Sequence, residues 1–588
     1  MPTITIYHFF IFIFQPLSGK KVDEAGYVLG TAAAAASTST TPAAATPAAP
    51  AAEDEKPGTK RTRAKAAADE SKKSKTEDAA AAAASTTAAP PAEEEKKVKV
   101  IVKGRAPVDP NSGLQAKAHV YENGDDIYDV MLNQVNIGHN NNKFYVIQLL
   151  EADGGGQYWT WNRWGRVGER GQSALKPCGG SLDSAKRDFL KKFQDKTKNN
   201  WANRKNFTPV HGKYTLLEMD YGTDEVEKKK AETKTDPSAP AKPKRACTLK
   251  SEVQDLIKAI FDMKMMERVM AEMEYDVKKN PLGKLKKDQV MKGYKVLQQI
   301  DNELKGSANR SVLEMLSSQF YTLIPHSYPR HIVPPVIRDQ EMLKKKLAMV
   351  EALAEIEIAV SITNDTSDDS EIDQLDANYK KLNSEIEPVP KDSDEFKNIQ
   401  KYVNNSHPRN TPTIKTIYKL NRKGEDARFE PSKALGNRML LWHGSRMTNF
   451  VGILSQGLRI APPEAPVSGY RFGKGIYFAD LAQLSSCYCR AYGQSDFLML
   501  LCDVALGKTA DVEHDTYMEK APKGANSTKA LGIIEPDPKD RTTTPEGAVI
   551  PYGPIVDSKY KNVSCHEHQY IVYDVAQAKQ QYLIHFNS

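Results

Sequence analysis

Cysteine is sparse in this chain. Six thiols, at 178, 247, 487, 489, 502 and 565, are scattered through 588 residues, and no CxxC pair exists. This argues against a disulfide-stapled scaffold and against a zinc ribbon, since Cys487 and Cys489 are poorly spaced for zinc. The six are read as reduced thiols of a nuclear or cytosolic protein, and no metal is expected. Long apolar runs are also missing. No stretch reaches the ~18 residues of a membrane-spanning helix, so no membrane partner is expected. The apolar opening, Ile4–Phe14, is short and lacks a positive flank and a small-residue cleavage site, which argues against a secretory signal. A strong charge bias is absent as well. The net charge is +7, from 82 Lys and Arg against 75 Asp and Glu, so the location of charge matters more than its total.

The length leaves room for about four domains by the usual size prior. Residues 1–97 form an expected disordered tail, because Ala, Thr, Ser, Pro, Glu and Lys bury too little apolar surface to offset chain entropy. Basic clusters at Lys60–Lys65 and Lys72–Lys75 fit a solvated tail, nuclear import and loose attraction to DNA phosphate alike.

From 98 to 221 the pattern turns globular. Val98, Val100 and Val102 alternate; Lys143–Leu150 and Tyr158–Val167 read as strands of one hairpin around Asp153–Gly156, and Ser184–Asn199 as a basic helix. Residues 161–205 hold 12 Lys and Arg against 4 Asp and Glu, a local charge of +8. Tryptophan and arginine interleaved on such a surface suit nucleic-acid ends, whereas Trp159 and Trp161 are better read as core. A Lys-, Glu- and Pro-rich linker is expected over 222–246. Residues 247–363 read as helical, with Val253, Leu256, Ile257 and Ile260 on one face, a break at Asn280–Gly283, a buried connector at Phe320–His326 and a last apolar helix over Val350–Val360. His326 is expected to be structural. An acidic connector over 364–387 then leads into an antiparallel α+β domain, 388–588.

One stretch organises the rest. From Arg438 to Tyr488, an apolar run enters a turn at His443-Gly444-Ser445, and a second Gly-rich turn leads into a strand holding Tyr477 and Phe478. Two core strands with tight turns would look similar. Glycines beside a His, a Ser and aromatics also suit a cleft where backbone approaches a flat ligand.

This stretch resembles the NAD-binding signature of the poly(ADP-ribose) polymerases over tens of consecutive residues. Trp164-Gly165-Arg166, with Val167-Gly168 and Gly171, resembles the WGR domain of the same family, and Cys247–Leu249 with Val253–Ile257 resembles the first helix of its regulatory domain. The resemblance implies a multidomain α+β protein: a disordered tail, a small β-rich WGR domain, an all-α regulatory bundle that shields the NAD site until DNA binds, and an antiparallel α+β ADP-ribosyltransferase domain. It implies a nuclear enzyme of DNA repair, activated by broken DNA ends or nicks. NAD would be its substrate, and its acceptors would be proteins including itself.

The same resemblance assigns roles. Gly444 and Ser485 would hold the nicotinamide amide, Tyr477 and Tyr488 would sandwich the ring, and His443 would bind a ribose hydroxyl. Ser445, Asn449 and Arg459 would meet the adenosine half. Trp164 would pack at a 5′ DNA end, and Arg166 would bridge toward the catalytic half.

Two positions depart from the pattern. Gln569 stands where the catalytic Glu is expected, and Leu484 where a Lys usually precedes the Ser. A glutamine accepts a hydrogen bond but takes no proton and offers no full charge to an oxocarbenium-like sugar. Each tenfold lost in rate corresponds to about 1.4 kcal/mol. Glu567 is a poor substitute on strand geometry, two residues and about 6.6 Å away on the same face. Polymer elongation is therefore expected to be weak or absent, leaving mono-transfer or slow NAD hydrolysis. The alternative is a catalytically dead, break-binding scaffold that senses NAD.

Overall fold

Alternating apolar residues drive the first domain into a sheet. β1 (Asp129–Asn136), β2 (Asn141–Ala152), β3 (Tyr158–Arg166) and β4 (Gln172–Gly179) lie side by side, all antiparallel. The expected hairpin is β2–β3, closing at the Glu151–Tyr158 pair. Helix α1 (Leu182–Thr197) starts where the Ser181 hydroxyl accepts the Ser184 N–H, and it buries Ala185, Phe189 and Phe193 against one face of the sheet. Trp161 is buried in the core on the other face and Trp159 packs against it, as expected of both.

This computed structural model describes residues 105–219, 246–275, 286–364, 373–407, 411–489 and 496–587. The tail expected over 1–97, the alternating valines at 98–102, the linker residues 222–245 and the break at Asn280–Gly283 lie outside the described residues.

The helical segment comprises α2 (Ser251–Ile260), α3 (Met263–Glu272), α4 (Lys287–Lys305), α5 (Arg310–Leu323) and α6 (Gln340–Asn364). Val253, Leu256, Ile257 and Ile260 are all buried on α2, the face their spacing predicted. Two expectations need correction. Phe320–Leu323 is the last turn of α5 rather than a connector, because Phe320, Tyr321 and Leu323 bury on its inner face. The acidic connector is structured where described: Asp373 caps α7 (Gln374–Lys381), and β5 (Ser384–Pro388) follows. Acidic composition gave way there to capping, because Asp376 is buried and accepts the Thr248 N–H and hydroxyl. His326 is structural: its Nδ1–H donates to the Ile324 carbonyl at 2.7 Å among the rings of Tyr321 and Tyr328.

The remaining residues build one large twisted sheet. Its main strands are β6 (Thr413–Arg422), β7 (Arg438–Gly444), β8 (Ile476–Ala479), β9 (Asp496–Ala505), β10 (Thr509–Val512), β11 (Ser527–Ala530), β13 (Gln569–Val572) and β14 (Ala578–Asn587), while β12 (Cys565–Glu567) pairs in a separate small sheet. Across the large sheet the order is β10-β11-β13-β8-β7-β9-β14-β6-β5. Pairing is antiparallel except where β10 meets β11 and where Met439 meets Val549. One apolar core joins this sheet to the helical segment: Leu347 and Val350 of α6 share it with Leu441, Phe450 and Leu498.

Candidate active site

β7 is an apolar strand, and Leu440, Leu441 and Trp442 are fully buried. It pairs with β9 along its whole length but with β8 through a single pair, Trp442–Ala479. Beyond that pair the two strands diverge. His443 and Gly444 therefore line a gap on the β8 side, with both residues only half-buried.

His443 is oriented by the far wall. Its Nδ1 lies 2.9 Å from the Tyr477 carbonyl, an atom that only accepts, so Nδ1 carries the proton. Burial pushes the imidazole below its usual range, while the bond to Tyr477 pulls the other way. The ring is neutral at pH 7, and Nε2 has no protein partner among the described residues. Gly444 is required by contact: a Cβ there would sit 1.8 Å from the carbonyl oxygen of Ser485. Ser485 and Leu484 lie on the short helix α8 (Ala482–Ser486), Ser485 buried and Leu484 half-buried, and Tyr488 follows with 62% of its surface exposed.

Tyr477 is locked at its hydroxyl, which donates to the Gly473 carbonyl at 2.7 Å and accepts the Phe472 N–H at 3.1 Å. Gly473 adopts φ +98°, and the Met518 carbonyl fills the space of any side chain there. Asn449 is held between the hydroxyls of Thr448 and Ser445, each at 3.0 Å.

Gln569 lies in one rung with Ala479 and Trp442, and its side-chain N–H donates to the Cys565 thiol at 3.4 Å. The supposed same-strand relation of Glu567 to Gln569 is corrected: Glu567 ends β12, which pairs in the small sheet, and the chain changes sheet at His568. The carboxylate of Glu567 instead accepts from Gln483 at 2.9 Å.

Arg459 is engaged from outside the sheet. Its guanidinium pairs with Glu355 of α6, and Glu351, one turn earlier on that helix, accepts the Tyr470 hydroxyl at 2.8 Å. Burial raises both carboxyls above their usual range, with Arg459 opposing this at Glu355. Asp301 of α4 accepts the Ser468 N–H at 3.3 Å. These carboxylates carried no sequence signal, because each is one acid among many on an amphipathic helix.

In the first domain Trp164 stacks on Tyr145 at 5.6 Å between centroids, and its indole N–H donates to Gln172. Arg166 donates to the carbonyls of Asn140, Tyr328, Pro329 and Ile332, so it reaches the helical segment. Among the described residues, no group of three or more His, Cys, Asp or Glu is placed to hold a metal, and no helix is long and apolar enough to cross a membrane.

Three family descriptions match in order along the chain: "WGR domain" over 128–208, "Poly(ADP-ribose) polymerase, regulatory domain" over 247–379 and "Poly(ADP-ribose) polymerase catalytic domain" over 393–588. Together with a cleft of this form, they define an NAD+ ADP-ribosyltransferase of mixed α+β, multidomain build. The chain belongs to the poly(ADP-ribose) polymerase family. It is 44% identical over 498 residues to poly(ADP-ribose) polymerase 2 of Homo sapiens, a match covering 82% of this chain and 84% of that protein. It is 43% identical over 494 residues to poly(ADP-ribose) polymerase 2 of Zea mays, covering 82% and 74%. Against poly(ADP-ribose) polymerase 1 of Gallus gallus the identity is 43% over 495 residues, covering 83% of this chain and 48% of that longer protein.

Proposed function

We propose that this chain binds broken DNA and transfers ADP-ribose from NAD+ to proteins, itself included, in the nucleus, with polymer elongation weak or absent. The observation that carries this reading is the local geometry where β7 leaves β8: the His443 imidazole donates to the Tyr477 carbonyl, Gly444 packs on the Ser485 carbonyl, and Gln569, not a carboxylate, stands two strands away in the same rung as Trp442. The Gly444 backbone and the Ser485 hydroxyl hold the nicotinamide amide. Tyr477 and Tyr488 face the ring, and the neutral His443 accepts a ribose hydroxyl at Nε2. The carbon–nitrogen bond breaks with its electron pair leaving on nicotinamide, and the sugar carbon passes through an oxocarbenium-like state. The acceptor attacks that carbon and gives up its proton to water, since Gln569 cannot take it. Gln569 accepts a ribose hydroxyl but supplies neither charge nor base, which weakens the extension step.

The basic α1 surface and the stacked Trp164 support contact with a DNA end. Arg166 supports a mechanical route from that surface to the helical segment, whose Glu355 and Glu351 hold the rim of the cleft. Domains spanning 98–221, 247–363 and 388–588 suit this division of labour. The test is mass spectrometry of the protein after incubation with NAD+ and nicked DNA. Single ADP-ribose adducts are expected, and long polymers from the unmodified chain would refute the elongation claim. Gln569 also supports a second reading, a break-binding scaffold that holds NAD+ without turning it over. In that case incubation leaves no adduct, while NAD+ still binds.

A further inference from the structure

Asp480 immediately follows Ala479, which pairs with Gln569, yet it belongs to the other side of the sheet. Side chains alternate along β8 and β13, so Tyr477 and Gln569 share one face while Phe478 and Tyr570 share the other and join the core. Asp480 is buried on that core side, and its Oδ2 accepts the Tyr570 hydroxyl at 3.1 Å. Tyr570 is the next residue after Gln569. Its ring is packed in the core at one end and held by Asp480 at the other, so the position of Gln569 is tied to the end of β8. The other oxygen, Oδ1, is buried and meets no second side chain among the described residues. Burying a carboxyl is costly, and the side chain that holds this one is the Tyr570 hydroxyl.

We infer that Asp480 is a positioning residue for the transfer reaction, holding residue 569 at the cleft floor through the Tyr570 hydroxyl. The inference rests on the proposed reading for its catalytic meaning but not for its structural one. The groups facing Asp480 are Lys529 of β11, whose ammonium lies 5.6 Å from the Tyr570 ring centre, Glu535 beyond it, Tyr570 of β13 and Tyr402 of the helix over Asp394–Ser406. His568 is neutral: its Nδ1 accepts the Gly532 N–H, its Nε2 donates to Glu535, and burial pushes it down to about 4. Burial pushes Asp480 up to about 7, against Lys529 and the Tyr570 hydroxyl. The bond that anchors Tyr570 thus gains or loses its charge assistance across the neutral range.

The test compares the full chain with its Asp480→Asn and Tyr570→Phe variants. Hydrogen exchange of the peptide over 565–573 should quicken about tenfold in both variants, the factor one ordinary buried hydrogen bond carries, with no change in the first domain. NAD+ turnover should lose kcat with little change in KM, the double variant should be no worse than either single one, and the pH profile of Asp480→Asn should lose its step near neutrality. Unchanged exchange over 565–573 in both folded variants would overturn the inference, as would additive losses. Quickened exchange in a protein that turns over no NAD+ would uphold the positioning role and sink the proposed reaction instead.

Discussion

The guanidinium of Arg459 is held by the carboxylate of Glu355, a residue 104 positions earlier on a helix of a different segment. This cation, which the proposed reading sets at the adenosine half of the dinucleotide, is therefore already paired within the protein. A ligand phosphate or ribose that uses Arg459 must displace Glu355.

Replacing Glu355 by Ala should raise NAD+ affinity in the absence of DNA by about tenfold, the scale of one released charge pair. Calorimetric titration with and without nicked DNA measures it, and the two affinities should converge in the variant. This substitution is preferable to deleting the helices, because α6 shares a continuous apolar core with the sheet and its removal would expose that core.

Gln569→Glu restores a carboxylate at the cleft floor. Turnover should rise by about a hundredfold or more, the scale of one well-placed charged group, and polymer should appear on gels of the automodified protein. An unchanged rate would place the defect elsewhere, with Leu484 the next candidate.

Gly444→Ala forces a methyl group into the Ser485 carbonyl. The variant should lose about 1–3 kcal/mol of stability and most of its affinity for nicotinamide mimics, measured by thermal unfolding and by titration.

Two groups, the half-buried His443 and the buried Asp480, make stability depend on pH in opposite directions. The His443 imidazole is depressed below its ordinary value, so the unfolded chain binds the extra proton first and stability falls as pH drops below about 6.5. Asp480 is raised to about 7, so its contribution is complete below about 4 and is lost as pH rises toward 7. Asp480→Asn should remove only the second slope, which denaturant unfolding between pH 4 and 9 measures.

Arg166→Lys should keep DNA affinity within about threefold but uncouple turnover from DNA. A lysine cannot span the carbonyls of Asn140, Tyr328 and Ile332 together. Fluorescence anisotropy with a labelled nick and an NAD+ turnover assay separate the two effects.

Periodicity and local chemistry were legible from the chain alone. The α2 stripe, the β2–β3 hairpin, the buried Trp161 and the glycines beside His443 all follow from spacing, because helix and strand periods and the steric needs of glycine act between neighbours. The departure at Gln569 was legible only against the family pattern that its flanking residues resemble. Tertiary structure alone decided what lies far apart in sequence. It set Glu355 on Arg459, turned Arg166 onto the carbonyls at 328–332, put Glu567 in a different sheet from Gln569 and buried Asp480 beneath the cleft. These arrangements depend on which surfaces meet when the helices pack on the sheet, and an acid or a base carries no record of its distant partner until that packing is made.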